Sequence, residues 1–160
     1  MFILRAATTA DVPVIYELIA ELAEYEKLRD QVDATPAGIH SALFGERRYA
    51  EVLLAECQAT VAGFALYFHN FSTFRGKPGL YLEDLFVRPP FRRLGIGTAF
   101  FRRMAQIAVE RGCARMEWSV LDWNTPALDF YRSLGAVAMA DWTVHRLTDD
   151  ALLRLANRGD

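Results

Sequence analysis

Arg92-Arg93-Leu94-Gly95-Ile96-Gly97 decides the reading of this chain, because it joins a strand-like run, Tyr81 to Val87, to a helix-like run, Thr98 to Arg111. Arg88, Pro89, Pro90 and Phe91 stop the strand, since proline has no amide to give a ladder and biases its predecessor against helix. Two glycines then let the backbone pass close to a ligand while the first helical amides point outward unpaired. With the positive end of the helix dipole, those amides form a cradle for an anion such as phosphate. The cradle fits neither nucleotide fingerprint. A P-loop needs lysine after its last glycine, and the chain's only lysines are Lys27 and Lys77. The dinucleotide pattern needs a third glycine where Phe100 stands.

Outward from this loop, 160 residues of which 52% are hydrophobic suit one domain over residues 1–160 with a substantial core. A net charge of -2 offers no broad attraction for nucleic acid or an anionic membrane. Cys57 and Cys113 lack metal or redox spacing, and His40, His69 and His145 share no metal pattern, so no metal site is expected. The amino terminus is unlike a signal peptide and no apolar run reaches membrane-spanning length, which gives a cytoplasmic, soluble expectation.

Periodicity supplies the remaining elements. Phe2 to Arg5 reads as a strand, followed by a helix carrying Ile15, Leu18, Ile19 and Leu22, and a short helix at Ala37 to Phe44 capped by Thr35. Glu51 to Glu56 and Val61 to Phe68 read as a hairpin about Cys57 to Thr60, and a loop at Ser72 to Gly79 leads to the third strand of the meander. Beyond Gly112, Arg115 to Leu121 alternates as a strand, Asn124 caps a helix ended by Gly135, Val137 to Leu147 reads as a last strand, and Asp149 to Ala156 as a small helix. That order predicts an α/β sandwich around a mixed sheet.

Four blocks, Leu22 to Glu26, Tyr81 to Asp84, Phe91 to Gly97, and Asp122 to Pro126 with Phe130-Tyr131, resemble the spermidine/spermine (diamine) and thialysine branch of the GNAT superfamily of N-acetyltransferases. The resemblance implies a GNAT fold: a mixed, mostly antiparallel sheet with helices on both faces and a splayed, bulged strand before the pyrophosphate loop. It implies acetyl-CoA as co-substrate, held by Leu85, Phe86 and Val87 along the strand, by Arg92, Arg93, Leu94, Gly95, Ile96, Gly97 and Thr98 in the loop, and by Asn124, Thr125, Pro126, Ala127 and Tyr131. It places the acceptor amine by Tyr25, Glu26, Glu83, Glu117, Trp118 and Ser119, and implies a homodimer.

Two residues would carry the chemistry. An alkylammonium of pKa about 10.4 is a free nucleophile only about one part in 2,500 at pH 7, a penalty of roughly 4.6 kcal/mol, so a base is needed. The resemblance assigns it to Glu83; a regular pleat would send neighbouring Glu83 and Asp84 to opposite faces. Tyr131 lies on the apolar stripe of its helix, where packing alone accounts for it, and the resemblance makes it the group that meets the departing thiolate. The expected activity is direct acetyl transfer to a primary amine of a small diamine-like molecule. A protein lysine or amino-terminal acetyltransferase and a non-catalytic acyl-CoA-binding module are the alternatives. Lys27 and Arg29, interspersed with Glu24, Glu26 and Asp30, favour a short amine bearing its own carboxylate over a long polyamine.

Overall fold

A computed structural model describes residues 1–159 and divides the chain into two compact units, one spanning Met1–Ser119 and the other starting at Val120. The first contains β1 (Ile3–Ala6), α1 (Val12–Tyr25), α2 (Pro36–Phe44), β2 (Glu51–Cys57), β3 (Thr60–Ser72), β4 (Lys77–Val87), α3 (Ile96–Glu110) and β5 (Arg115–Trp118). Its sheet runs in the order β1-β2-β3-β4-β5, antiparallel except for the parallel β4–β5 pair. The mixed sheet expected from the element order is therefore present, as are helices on both of its faces.

Alternation explains how one sheet serves two layers. Val52 and Leu54 of β2, Phe64 of β3 and Phe86 of β4 share one core cluster with Ile15, Leu18 and Leu22 of α1 and Ile39 and Leu43 of α2. On the other face, α3 buries Ile96, Phe100, Phe101, Met104 and Ile107, with Phe101 edge-on to Trp118 of β5 at 4.9 Å. The helical stripe read from the sequence is thus the buried stripe. Pro13 sits in the first turn of α1, where its missing amide costs nothing, and Thr35 Oγ1 accepts from the Gly38 amide at the start of α2.

The second unit holds α4 (Thr125–Ser133) and α5 (Asp149–Ala156). Asn124 caps α4, its Oδ1 accepting from the Ala127 amide at 3.3 Å. The strand expected at Val137 to Leu147 is not formed among the described residues: the segment joins no ladder, and Val137 and Val144 are each 82% exposed. Apolar alternation specifies a strand only where an edge completes its backbone hydrogen bonds, and here Trp142 N–H turns back to the Met139 carbonyl instead.

The β2–β3 hairpin closes with only Gln58 and Ala59 between the strands, at φ 47° and 64°. Two left-handed residues in a two-residue loop make the tight hairpin turn that glycine favours at its second position. Ala59→Gly should therefore raise stability by about 0.5–1 kcal/mol, the relief of left-handed strain less the added unfolded-state entropy. Urea midpoints of the two proteins check this.

Candidate active site

The site begins where two strands part. β5 follows β4 only from Gly79↔Arg115 to Leu82↔Trp118, whereas β4 remains paired with β3 as far as Val87. From Glu83 onward, no strand among the described residues lies on the side of β4 that faced β5. The Arg88 amide bonds across to the Ala62 carbonyl of β3 at 2.8 Å, so the Val87 carbonyl, on the same peptide, points the other way. There it accepts from Arg92 Nε at 2.9 Å. Leu85, two residues back, presents its amide and carbonyl to that same open edge.

The parting coincides with a bulge. Leu66 of β3 opposes Asp84 and Tyr67 opposes Leu82, which leaves Glu83 as the extra residue. The expected bulge is therefore found, and it inverts the phase of β4. Leu82 lies on the α3 face with Tyr67, while Asp84 and Phe86 lie on the α1 face opposite Leu66 and Phe64. α1 ends against this face, with Tyr25 6.4 Å from the Phe86 ring. Arg88 fixes that arrangement through Glu21 at 2.8 Å, Glu17 at 3.4 Å and the Val61 carbonyl at 2.8 Å.

Three carboxylates gather here. Glu83 is exposed, Glu26 is partly buried at the end of α1, and Asp84 is more enclosed than Glu83. Burial, then the like charges of Glu83 and Glu26, push the Asp84 carboxyl up to about 6; burial also raises Glu26. Glu83 is the base only by resemblance, and which of the two neighbouring carboxylates faces α1 is set by the bulge, which leaves no mark in composition or periodicity.

Beyond the strand, Pro89–Phe91 form a single turn and α3 starts at Gly95. Arg93 at φ 65° and Gly95 at φ 82° lie in the left-handed region, and no side chain caps the helix. Its leading amides are thus left without a side-chain cap at the positive end of the helix, a setting that favours an anion. A Cβ on Gly97 would meet nothing within 4 Å, so no protein group requires a glycine there. The uncapped amides and the open space at Gly97 leave room for an anion beside the loop. Leu94 and Thr98 are exposed beside it and Ile96 is buried beneath it. The Arg92 guanidinium, bonded to Val87, lies 5.2 Å over Tyr25 and 5.7 Å over Phe86, tying the loop to the strand and to α1.

The remaining sequence-derived residues separate. Glu117 stands opposite Tyr81 on the α1 face, and Ser119 Oγ meets the Tyr81 hydroxyl at 2.8 Å. Trp118, between them, faces the other way onto Phe101. Asn124, Thr125, Pro126, Ala127 and Tyr131 belong to the second unit, where Tyr131 lies on α4 with its ring 5.9 Å from Phe130. Among the described residues no three His, Cys, Asp or Glu side chains cluster to hold a metal ion, and no helix is long and apolar enough to cross a membrane.

With that geometry in place, residues 13–136 of the chain match the acetyltransferase (GNAT) family. The chain belongs to that family. It is 36% identical to a thialysine N-epsilon-acetyltransferase of Bos taurus over 97% of each chain. It is 34% identical to an L-ornithine N5-acetyltransferase of Arabidopsis thaliana over 93% of this chain and 85% of that one. An integron cassette protein from Vibrio cholerae superposes with a TM-score of 0.82 at 26% identity, over 98% of each chain. This GNAT chain is therefore an N-acetyltransferase.

The raised Asp84 has a measurable consequence for stability. Its folded pKa of about 6 lies above the 3.8 of an unperturbed aspartate, so the native state binds the proton more tightly and ionisation works against folding. The penalty is absent below about pH 3.8 and fully present above about 6, where roughly two units correspond to about 3 kcal/mol. Asp84→Asn, which mimics the neutral acid, should melt higher than the parent at pH 7.5, with the gap closing toward pH 4.5. Thermal unfolding across that range checks the sign.

Proposed function

We propose that the chain transfers an acetyl group from acetyl-CoA to a primary amine of a small diamine-like molecule, by direct attack in a ternary complex. The acceptor we favour is a short amine carrying its own carboxylate, as in a lysine analogue. The single observation that carries the reading is the continuity of the unpaired β4 edge at Leu85–Val87 with the uncapped, glycine-lined start of α3. An extended amide-bearing arm ending in a pyrophosphate is what such a surface would take. Relatives that act on thialysine and L-ornithine support the acceptor class.

Each part of the chain then has a task. The backbone of Leu85 and Val87 aligns the pantetheine amides, and the amides from Gly95 to Thr98 neutralise the pyrophosphate. When bound, the thioester supplies an activated acetyl group. Tyr25, Glu26 and Glu83 draw the acceptor ammonium to the mouth of the notch, and Glu83 with Asp84 removes its proton. Asp84 suits that step because of its burial: proton transfer from an ammonium to an ordinary aspartate is uphill by about 9 kcal/mol, but to a carboxyl near pKa 6 by only about 6. Tyr131 on α4 donates a hydrogen bond to the sulfur that leaves. Complete proton transfer from a phenol of pKa about 10 to a thiolate of about 8.5 would cost roughly 2 kcal/mol, so hydrogen bonding is the role we assign. Both units serve one acetyltransferase domain in this reading, and the chain works as a homodimer in the cytoplasm.

Gly97→Val should leave the fold intact, since its side chain enters open space, yet weaken CoA binding at least tenfold by filling the phosphate approach. Isothermal calorimetry with CoA tests this, and an unchanged affinity would remove the cradle assignment. Tyr131→Phe keeps the ring and should cost about 10²-fold in turnover with little change in CoA affinity. Turnover within a few-fold of the parent would return Tyr131 to a packing role.

A further inference from the structure

The parallel pairing of β4 with β5 places Arg115, Glu117 and Asn70 together on the face that also carries Asp84. Asn70 on β3 opposes Gly79 on β4, which opposes Arg115 on β5; Glu117 follows one pleat later beside Tyr81. Asn70 Nδ2 donates to Glu117 Oε1 at 3.2 Å, and Arg115 Nε reaches the same oxygen at 2.8 Å. A second arm of Arg115, Nη2, is anchored on the Phe71 carbonyl at 3.2 Å. Both bonds to the Glu117 carboxylate fall on one oxygen. Among the described residues no hydrogen bond is made by Glu117 Oε2 or by Arg115 Nη1, so the fixed pair presents one anionic acceptor and one cationic donor.

The cluster is costly to assemble for packing alone. Asn70 Oδ1 is buried with no hydrogen-bond partner, and a Cβ on Gly79 would overlap it. The Arg115–Glu117 pair is 40% and 35% exposed, a setting in which an ion pair contributes little to stability. Distance and face give the cluster a use. The bulge puts Tyr81 and Asp84 on one face, opposite Phe68 and Leu66, so the Glu117 row lies two β3 residues, about 7 Å, from the Asp84 row. The α-carbon and terminal nitrogen of an extended lysine side chain are about 6 Å apart by standard bond lengths.

We propose that Arg115 and Glu117, held in place by Asn70 against Gly79, form a head-group site that selects an acceptor bearing an α-carboxylate and an α-ammonium at the end remote from the acetylated amine. The inference rests on the acceptor reading above and deepens it. Arg115 pairs with the carboxylate, Glu117 Oε2 with the α-ammonium, and Asn70 is a positioning residue that acts through Glu117. An amine lacking the carboxylate leaves Arg115 unanswered.

The test compares kcat/KM for L-lysine and for cadaverine, which is lysine without its carboxylate, with acetyl-CoA saturating. A ratio taken on one preparation is insensitive to loss of folded protein. The parent should favour lysine at least tenfold. Arg115→Gln should cut that ratio about tenfold, chiefly through KM for lysine, and Arg115→Lys should restore part of it. Asn70→Ala and Gly79→Ala, which disturb the same contact from two strands, should each raise KM for lysine with a smaller effect on kcat. A parent that does not favour lysine, or a ratio unmoved by Arg115→Gln while Lys27→Gln or Arg29→Gln moves it, overturns the head-group assignment and leaves the acetyltransferase reading standing. Acetylation of no amine in the pair or of L-ornithine overturns both.

Discussion

The parallel contact between β4 and β5 lasts only four residue pairs, and the site depends on its ending at Leu82 and Trp118. A parallel pair needs a crossover, and α3 is that crossover, packed on the face that carries Leu82 and Trp118. While the strands run together, they make an ordinary sheet. Once they part, β4 keeps its hydrogen bonds to β3 and loses those to β5, so one edge of a well-anchored strand is left open to a ligand. The bulge at Glu83 occurs at the same place and re-aims the side chains that follow. Opening of the edge, inversion of the face and approach of α1 are thus consequences of one local departure from regular pairing.

That departure carries an electrostatic cost which the surrounding structure contains. Asp84 is drawn under α1 near two other carboxylates, and burial with their like charges makes its ionisation harder than that of an ordinary aspartate, raising the carboxyl to about 6. Nearby, Arg88 binds Glu17 and Glu21 of α1 and the Val61 carbonyl of β3, and Arg92 rests on Tyr25 and Phe86 while capping the Val87 carbonyl. Neither arginine bonds directly to Asp84. They hold the walls and leave the carboxylate unneutralised, which keeps its proton affinity high. An arginine paired with Asp84 would stabilise the fold and lower the proton affinity of the carboxylate. Strain of this kind is expected where function competes with stability.

Much of this was legible in the residues. Proline, arginine and glycine at 88 to 97 marked both the end of β4 and the start of α3, and the cap residues Thr35 and Asn124 were found in place because their signals are local. The bulge was visible only by resemblance. Leu82, Asp84 and Phe86 keep a regular spacing in sequence, and the inversion appears only against β3. Trp118 illustrates the same limit, since alternation groups it with Met116 but does not say which face α3 will cover. The segment from Val137 to Leu147 erred in the other direction: its alternation is a property of the residues, whereas a strand is a property of a pair. Asn70 carried no signal at all. A lone asparagine near the end of a strand reads as a turn residue, and its contact with Glu117 spans 47 positions.

Choice among amines by a GNAT chain depends on charge in the same way. On the proposed acceptor site, every amine would present an ammonium to the carboxylates at the notch, so attraction there would raise affinity for all of them alike and discriminate among none. Discrimination must come from the far end of the molecule, where acceptors differ in charge. A wholly acidic surface at that end would favour a polyamine, because each added cation finds a partner. An Arg115–Glu117 pair with no net charge makes a different choice. It repels a lone second ammonium at Arg115 nearly as much as it attracts it at Glu117, and it rewards only a group carrying both signs at matching separation. The preference then rests on the arrangement of two neighbouring residues on β5, fixed by an asparagine that only a glycine on the intervening strand leaves room for.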